Sequence, residues 1–180
     1  MADTALLVID MQEALIDGAW QIENVVANVR ALLDRAYRER VPVVYVQHNR
    51  PESPMARNAP GWRIHAAIAP RDGDHVLDKT ASDSFYRTEL DALLKRLGVK
   101  RVVVTGMQSE FCVDATCRAA LSHGFDVTLV SDGHTTGRSH LPAETVIDHH
   151  NRILGWLAHP DQTLTATPAA EVDFATASSR

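Results

Sequence analysis

The sequence predicts an α/β fold whose parallel sheet is covered by helices on both faces. Three observations carry that expectation. Short β-branched runs recur along the chain at strand length. Amphipathic helical periods separate them, and strand–helix alternation is the pattern of a parallel sheet. The 180 residues, 45% of them hydrophobic, suit one domain, residues 1–180, with a real core.

The elements follow in order. "ALLVI" (5–9) is the first strand and ends at Asp10. Ile22, Val25, Val26, Val29, Leu32, Leu33 and Ala36 keep the i, i+3, i+4, i+7 spacing of a helix. "VPVVYVQH" (41–48) is the second strand. Residues 49–74 are rich in Pro and Arg with little periodicity, and a loop that long in a compact domain is usually functional. "HVLD" (75–78) is the third strand, followed by Lys79. Leu90, Leu93, Leu94 and Leu97 form a helix stopped by Gly98. "RVVVTG" (101–106) leads into a helix carrying Val113, Cys117, Ala120 and Leu121. "DVTLV" (126–130) precedes a helix opened by Pro142, with Val146, Ile147, Ile153 and Leu154 on its apolar side, and "QTLTAT" (162–167) is the last strand. The tail "AEVDFATASSR" reads as frayed or available for subunit contacts.

Composition excludes several classes of function. Net charge is -5, and the 18 basic residues are scattered among 23 acidic ones, which argues against nucleic acid or anionic membrane as partner. No apolar run approaches the roughly 18 residues of a membrane span, and no export signal is evident. The expected compartment is the cytoplasm, with both cysteines free.

Those cysteines lie in "TGMQSEFCVDATCRAA" (105–120). Cys112 falls where a strand at the sheet's carboxyl edge runs into a helix, the edge at which open α/β folds bind ligands. A helix start favours a thiolate, so Cys112 is the expected nucleophile. Cys117 falls on the apolar stripe and reads as a small buried hydrophobe. On an ideal helix their α-carbons lie about 8 to 9 Å apart, beyond the ~7 Å reach of a disulfide. Asp10 and Lys79 arrive at the same edge, a carboxylate to take the thiol proton and an ammonium to hold the thiolate. Taken singly each is weak, because an Asp after a strand is often a turn residue and a Lys there is often solvated.

Taken together, "ALLVIDMQ", "VLDKTASDSF", "TGMQSEFCVDATCRAA", "VTLVSDGHTT" and "TVIDHHNRIL" resemble the isochorismatase-like cysteine hydrolases in the same order, from about residue 4 to 167. The most specific block is Gly106, Ser109, Cys112 and Val113, followed by Asp114 and Thr116. The resemblance implies a Rossmann-like three-layer α/β/α sandwich with a six-stranded parallel sheet of order 3-2-1-4-5-6. It implies Cys112 as nucleophile, Asp10 as general base and Lys79 as the cation beside them. It also implies a cis peptide between Met107 and Gln108, with the N–H groups of Gln108 and Cys112 forming an oxyanion hole. The expected reaction is cleavage of a C–N bond in a small amide, carbamoyl compound or lactam through a thioester.

Departures from the family's better-known members narrow the expectation. Nicotinamidases carry Asp-x-His and further histidines after the second strand to hold a metal, whereas this chain reads "VQHNRPESP", so neither metal nor other cofactor is expected. Isochorismate-cleaving members often lack the cysteine, so Cys112 favours an amidase over vinyl-ether hydrolysis. Gln12, Trp62, Phe85 and Phe111, with Tyr86, are candidate walls of the substrate pocket, although aromatics near strand ends are as often core. His48, His65 and His134 lie near loops where substrate contact is open. One of His149 and His150 is expected to pack mid-helix, and Asp114 and Asp132 read as structural. The expected partners are a small-molecule substrate and further copies of the chain, as a dimer or tetramer. A thiol redox protein and a ligand-binding protein of the same fold are the rival readings, and the intact Asp10, Lys79 and Cys112 set fits both poorly.

Overall fold

The computed structural model of the chain describes residues 3–137 and 139–175. Six strands, β1 (Thr4–Ile9), β2 (Val43–His48), β3 (His75–Lys79), β4 (Arg101–Met107), β5 (Asp126–Thr135) and β6 (Leu164–Thr167), form one sheet of order 3-2-1-4-5-6. Every neighbouring pair is parallel. Five helices cover it: α1 (Glu13–Ile16), α2 (Ile22–Glu39), α3 (Leu90–Arg96), α4 (Asp114–Ser122) and α5 (Ala143–Gly155).

All six residues of β1 are buried, because a central strand meets a core on each face. Ala5, Leu7 and Ile9 enter the core shared with α3, α4 and α5, while Leu6 and Val8 enter the core under α2. The two periodicities of the sequence, two along strands and 3.6 along helices, meet in these two layers of side chains. The three-layer sandwich and its strand order are therefore those expected.

Several elements differ from the sequence reading, each for a physical reason. α1 has four residues, too few to show a period. β5 runs five residues past the apolar "DVTLV", because after an irregularity in register it pairs Gly106 with His134 and Met107 with Thr135. Pro142 stands at the N-cap of α5 rather than inside it. The expectation of a frayed tail is corrected: Val172 and Phe174 are buried in the α2 core, and the Arg35 guanidinium donates to the Ala169 and Val172 carbonyls. The rest of that expectation, residues 176–180, lies outside the described residues. Among the described residues no helix is long and apolar enough to cross a membrane.

The 49–74 loop is held down rather than free. Its short 3₁₀ turns, Pro60–Trp62 and Ala66–Ile68, flank an isolated bridge from Ile64 to Gln12. His65 N–H donates to the Met11 carbonyl and Glu13 N–H to the Arg63 carbonyl, so the loop is tied to the chain just after β1.

Gly106 is where the sheet leaves no room for a side chain. Its φ is +118°, and a Cβ there would stand 2.7 Å from the Ile9 nitrogen and collide with the Ile9 carbonyl. β4 thus lies too close to β1 at Gly106 for any side chain there, next to the edge that carries Asp10 and Cys112. Gly106→Ala is expected to destabilise the protein by about 3 kcal/mol or more, read by equilibrium denaturation.

Candidate active site

The order 3-2-1-4-5-6 reverses between β1 and β4, so their carboxyl ends open the crevice in which such sheets bind ligands. Asp10 follows β1 with φ +51°, an αL turn that directs the chain into the crevice. Its residue is fully buried. After β4 the Met107–Gln108 peptide is cis, and Ser109–Val113 form a π-helical turn from which α4 continues. Cys112 therefore sits in a π turn ahead of the helix, 7% exposed.

Lys79 comes from β3, two strands and about 10 Å from β1. Only a long side chain crosses that distance. Its ammonium, shut off from solvent, lies 2.7 Å from Asp10 Oδ2, 3.0 Å from Cys112 Sγ and 3.0 Å from the Ala81 carbonyl. The Lys79 ammonium thus joins the other two residues expected from the sequence, whose own atoms lie within 4.8 Å of each other.

Electrostatics corrects one expectation. The thiol of Cys112 is pushed up to about 12, first by burial and next by the charge of Asp10, and Lys79 offsets only part of this. The helix start does not hold a resting thiolate. Burial and the charge of Asp10 thus favour the neutral thiol. Cys117 is fully buried in the core and its thiol is also raised by burial, as its packing role requires.

His48 is the site residue that the sequence left open. It ends β2, in register with Lys79, and its Nδ1 lies 3.1 Å from Lys79 Nζ, 3.8 Å from Cys112 Sγ and 3.8 Å from Asp10 Oδ2. Register was the signal that marked it, because a β3 lysine reaching β1 must pass the end of β2. Asp10, His48 and Cys112 have donor atoms within 4.8 Å of one another, as metal ligands would. The Lys79 ammonium contacts all three, so this chain already supplies a cation there.

The remaining candidates divide. Gln12 is fully buried, and its amide receives the His48 N–H while donating to the His48 and Trp62 carbonyls. Its amide serves as a clamp on the backbone. Phe85 is 5% exposed and stacks on His123 and Phe125 at the far end of α4, so its expected place in the pocket wall is corrected to a core position. Phe111, next to Cys112 in the chain, is 54% exposed. Trp62 is half-buried, with a carbonyl that accepts from both Gln12 and Gln47. Tyr86 is exposed.

His65 pairs with Glu13, away from the thiol. His134 is buried between Ser109 Oγ, 2.7 Å away, and Asn151 Oδ1, 2.9 Å away. Burial pushes it down to about 4, so it is a neutral brace for the π turn rather than a substrate contact. His150 packs back on the Val146 carbonyl while His149 is exposed. Asp114 pairs with Arg118, and Asp132 accepts the Ala169 N–H.

A parallel α/β/α sandwich with an acid, a lysine and a thiol joined at its switch point defines the class as the cysteine-bearing Rossmann-like sandwiches. The model of the Isochorismatase domain matches residues 4–159, and the chain belongs to the isochorismatase family. It is 40% identical over 136 residues to a streptothricin hydrolase of Streptomyces noursei, covering 73% of this chain and 49% of that protein. It is 30% identical over 161 residues to nicotinamidase 3 of Arabidopsis thaliana, covering 80% and 79%. Among solved structures, the N-carbamoylsarcosine amidase of Thermoplasma acidophilum superposes with a TM-score of 0.75 at 26% identity, covering 94% of this chain and 98% of that one. The chain spans about half the length of the streptothricin hydrolases it matches.

Removing Lys79 strands a buried carboxylate, so Lys79→Met is expected to cost about 3 to 5 kcal/mol of stability. Asp10→Asn in the same background is expected to restore most of that loss, which denaturation of the two single variants and the double variant measures.

Proposed function

We propose that the chain hydrolyses a C–N bond of a small amide, carbamoyl compound or lactam through a thioester on Cys112. The observation that carries this reading is the buried contact of Asp10, Lys79 and Cys112. It supplies a nucleophile, a base and a charge stabiliser within one cluster. Relatives named as amidases, the N-carbamoylsarcosine amidase and the nicotinamidase, support the bond type.

In the first step Sγ attacks the substrate carbonyl while the thiol proton passes to Asp10. The oxygen takes up the electron pair of the C=O bond and is held by the Gln108 and Cys112 N–H groups, each donor being worth about 10² to 10³ in rate. The C–N bond then breaks and Asp10 returns its proton to the departing nitrogen. Water attacks the thioester, gives a proton to Asp10, and the C–S bond breaks to leave the acid. The sulfur recovers its proton from Asp10, closing the cycle with every proton accounted for.

A thiol kept neutral at rest fits this sequence better than a redox role, which depends on a low-pKa, accessible thiolate. Release of ammonia or amine from a panel of small amides, carbamoyl compounds and lactams tests the proposal. Turnover is expected to vanish in Cys112→Ala, to fall about 10² to 10⁴ in Asp10→Asn, and to survive Cys117→Ala. Full activity of Cys112→Ala, or no turnover of any compound by the wild type, would overturn it.

A further inference from the structure

The Lys79 ammonium has four acceptors around it and three hydrogens to give. The acceptors are Asp10 Oδ2 at 2.7 Å, Cys112 Sγ at 3.0 Å, the Ala81 carbonyl at 3.0 Å and His48 Nδ1 at 3.1 Å. The lysine side chain is fully buried, so these protein groups are what its hydrogens meet. One acceptor must therefore go without a directed hydrogen bond from Lys79.

The geometry shows which one. The contacts to Sγ, to the Ala81 carbonyl and to His48 Nδ1 have the angles of hydrogen bonds. Neither oxygen of Asp10 has a hydrogen-bond partner, although the ammonium is at 2.7 Å. The Lys79–Asp10 contact is a charge contact whose angles fall outside those of a hydrogen bond. An ammonium carries donors only, so Nδ1 of His48 accepts and its imidazole is the Nε2–H tautomer.

We infer that His48 is a positioning residue for the hydrolase reaction: by accepting the third hydrogen of Lys79 it keeps both oxygens of Asp10 free to take the thiol proton. The inference deepens the proposed hydrolase reading and rests on it for its catalytic meaning. Without an acceptor at position 48, the Lys79 ammonium shifts until its third hydrogen points at the nearest remaining oxygen, Asp10 Oδ2. A carboxylate that accepts a charge-assisted hydrogen bond binds a further proton less readily. The base is weakened while its distance from the thiol is unchanged.

The fold is built to hold His48 in this place. Its backbone N–H and carbonyl are both bonded to the Gln12 amide, which also grips the Trp62 carbonyl. Its side chain is 19% exposed, whereas those of Lys79 and Asp10 are fully buried. The charged and titratable groups in contact with its ring are Lys79, Asp10 and Cys112. Because the backbone clamp does not involve the imidazole, side-chain replacements leave it intact.

The test compares two replacements of similar shape. His48→Asn places a carbonyl oxygen near Nδ1 and does not titrate, while His48→Leu offers no acceptor. Two readouts are taken: kcat and KM on an amide found in the panel, and the pH profile of alkylation of Cys112 by iodoacetamide, with Cys112→Ala as control. His48→Leu is expected to lose at least about tenfold in kcat with KM changed less than about threefold. Its alkylation profile is expected to move to lower pH, because a hydrogen-bonded Asp10 opposes thiol ionisation less. His48→Asn is expected to keep kcat within about threefold of wild type and to leave the alkylation profile in place.

Equal losses in both variants would overturn the inference by pointing to proton transfer or shape at the imidazole. Wild-type kcat and an unmoved alkylation profile in His48→Leu would overturn it by showing that the third hydrogen does not matter. The alkylation profile requires no substrate, so it tests the sharing of hydrogens even where absence of turnover has removed the hydrolase reading.

Discussion

An ammonium and a carboxylate that are both closed off from water are tolerable only in contact, and the Lys79–Asp10 pair imposes that condition on the rest of the fold. Desolvating either ion alone costs several kcal/mol. The strand order, the glycine at 106 and the turn at Asp10 all serve to bring the pair together across three strands. Cys112 enters as a third member, and its neutral thiol adds no charge to the cluster.

That arrangement changes how activation should be understood at this site. A thiolate stabilised in advance by a helix terminus would be a ready but weaker nucleophile, since nucleophilicity falls with pKa. In the proposed reaction the buried thiol gives its proton to Asp10 only as sulfur attacks. Asp10 is neutralised as the oxyanion forms and is restored as the leaving nitrogen departs, so the net charge of the cluster is unchanged.

Much of this was legible in the sequence, and what was not has identifiable causes. Strands and long helices were visible because their apolar residues repeat with the period of the element. Asp10, Lys79 and Cys112 were visible as residues, but singly each had a commoner structural reading, and only the motif that joins them singled them out. The polar end of β5 was not visible, because it is set by pairing with β4 rather than by local pattern, and the five-residue π turn at Ser109–Val113 is too short to show a period. His48 was named only as an open candidate, since its role depends on the cross-strand register His48↔Lys79. Phe85 misled because a ring near the chemistry in sequence is turned into the core by Phe125 and His123. Gln12 was named as a pocket wall, and the structure adds that its buried amide clamps backbone at His48 and Trp62.

The central claim, that Cys112 carries the acyl group while Asp10 manages the protons, is tested most directly by acid-quenching the enzyme during turnover and mapping the adduct by peptide mass spectrometry. The account predicts an acyl group on the peptide containing Cys112. In Asp10→Asn that adduct should form slowly, and on no other residue. Turnover without any adduct on Cys112, or an acyl group on another side chain, would contradict it.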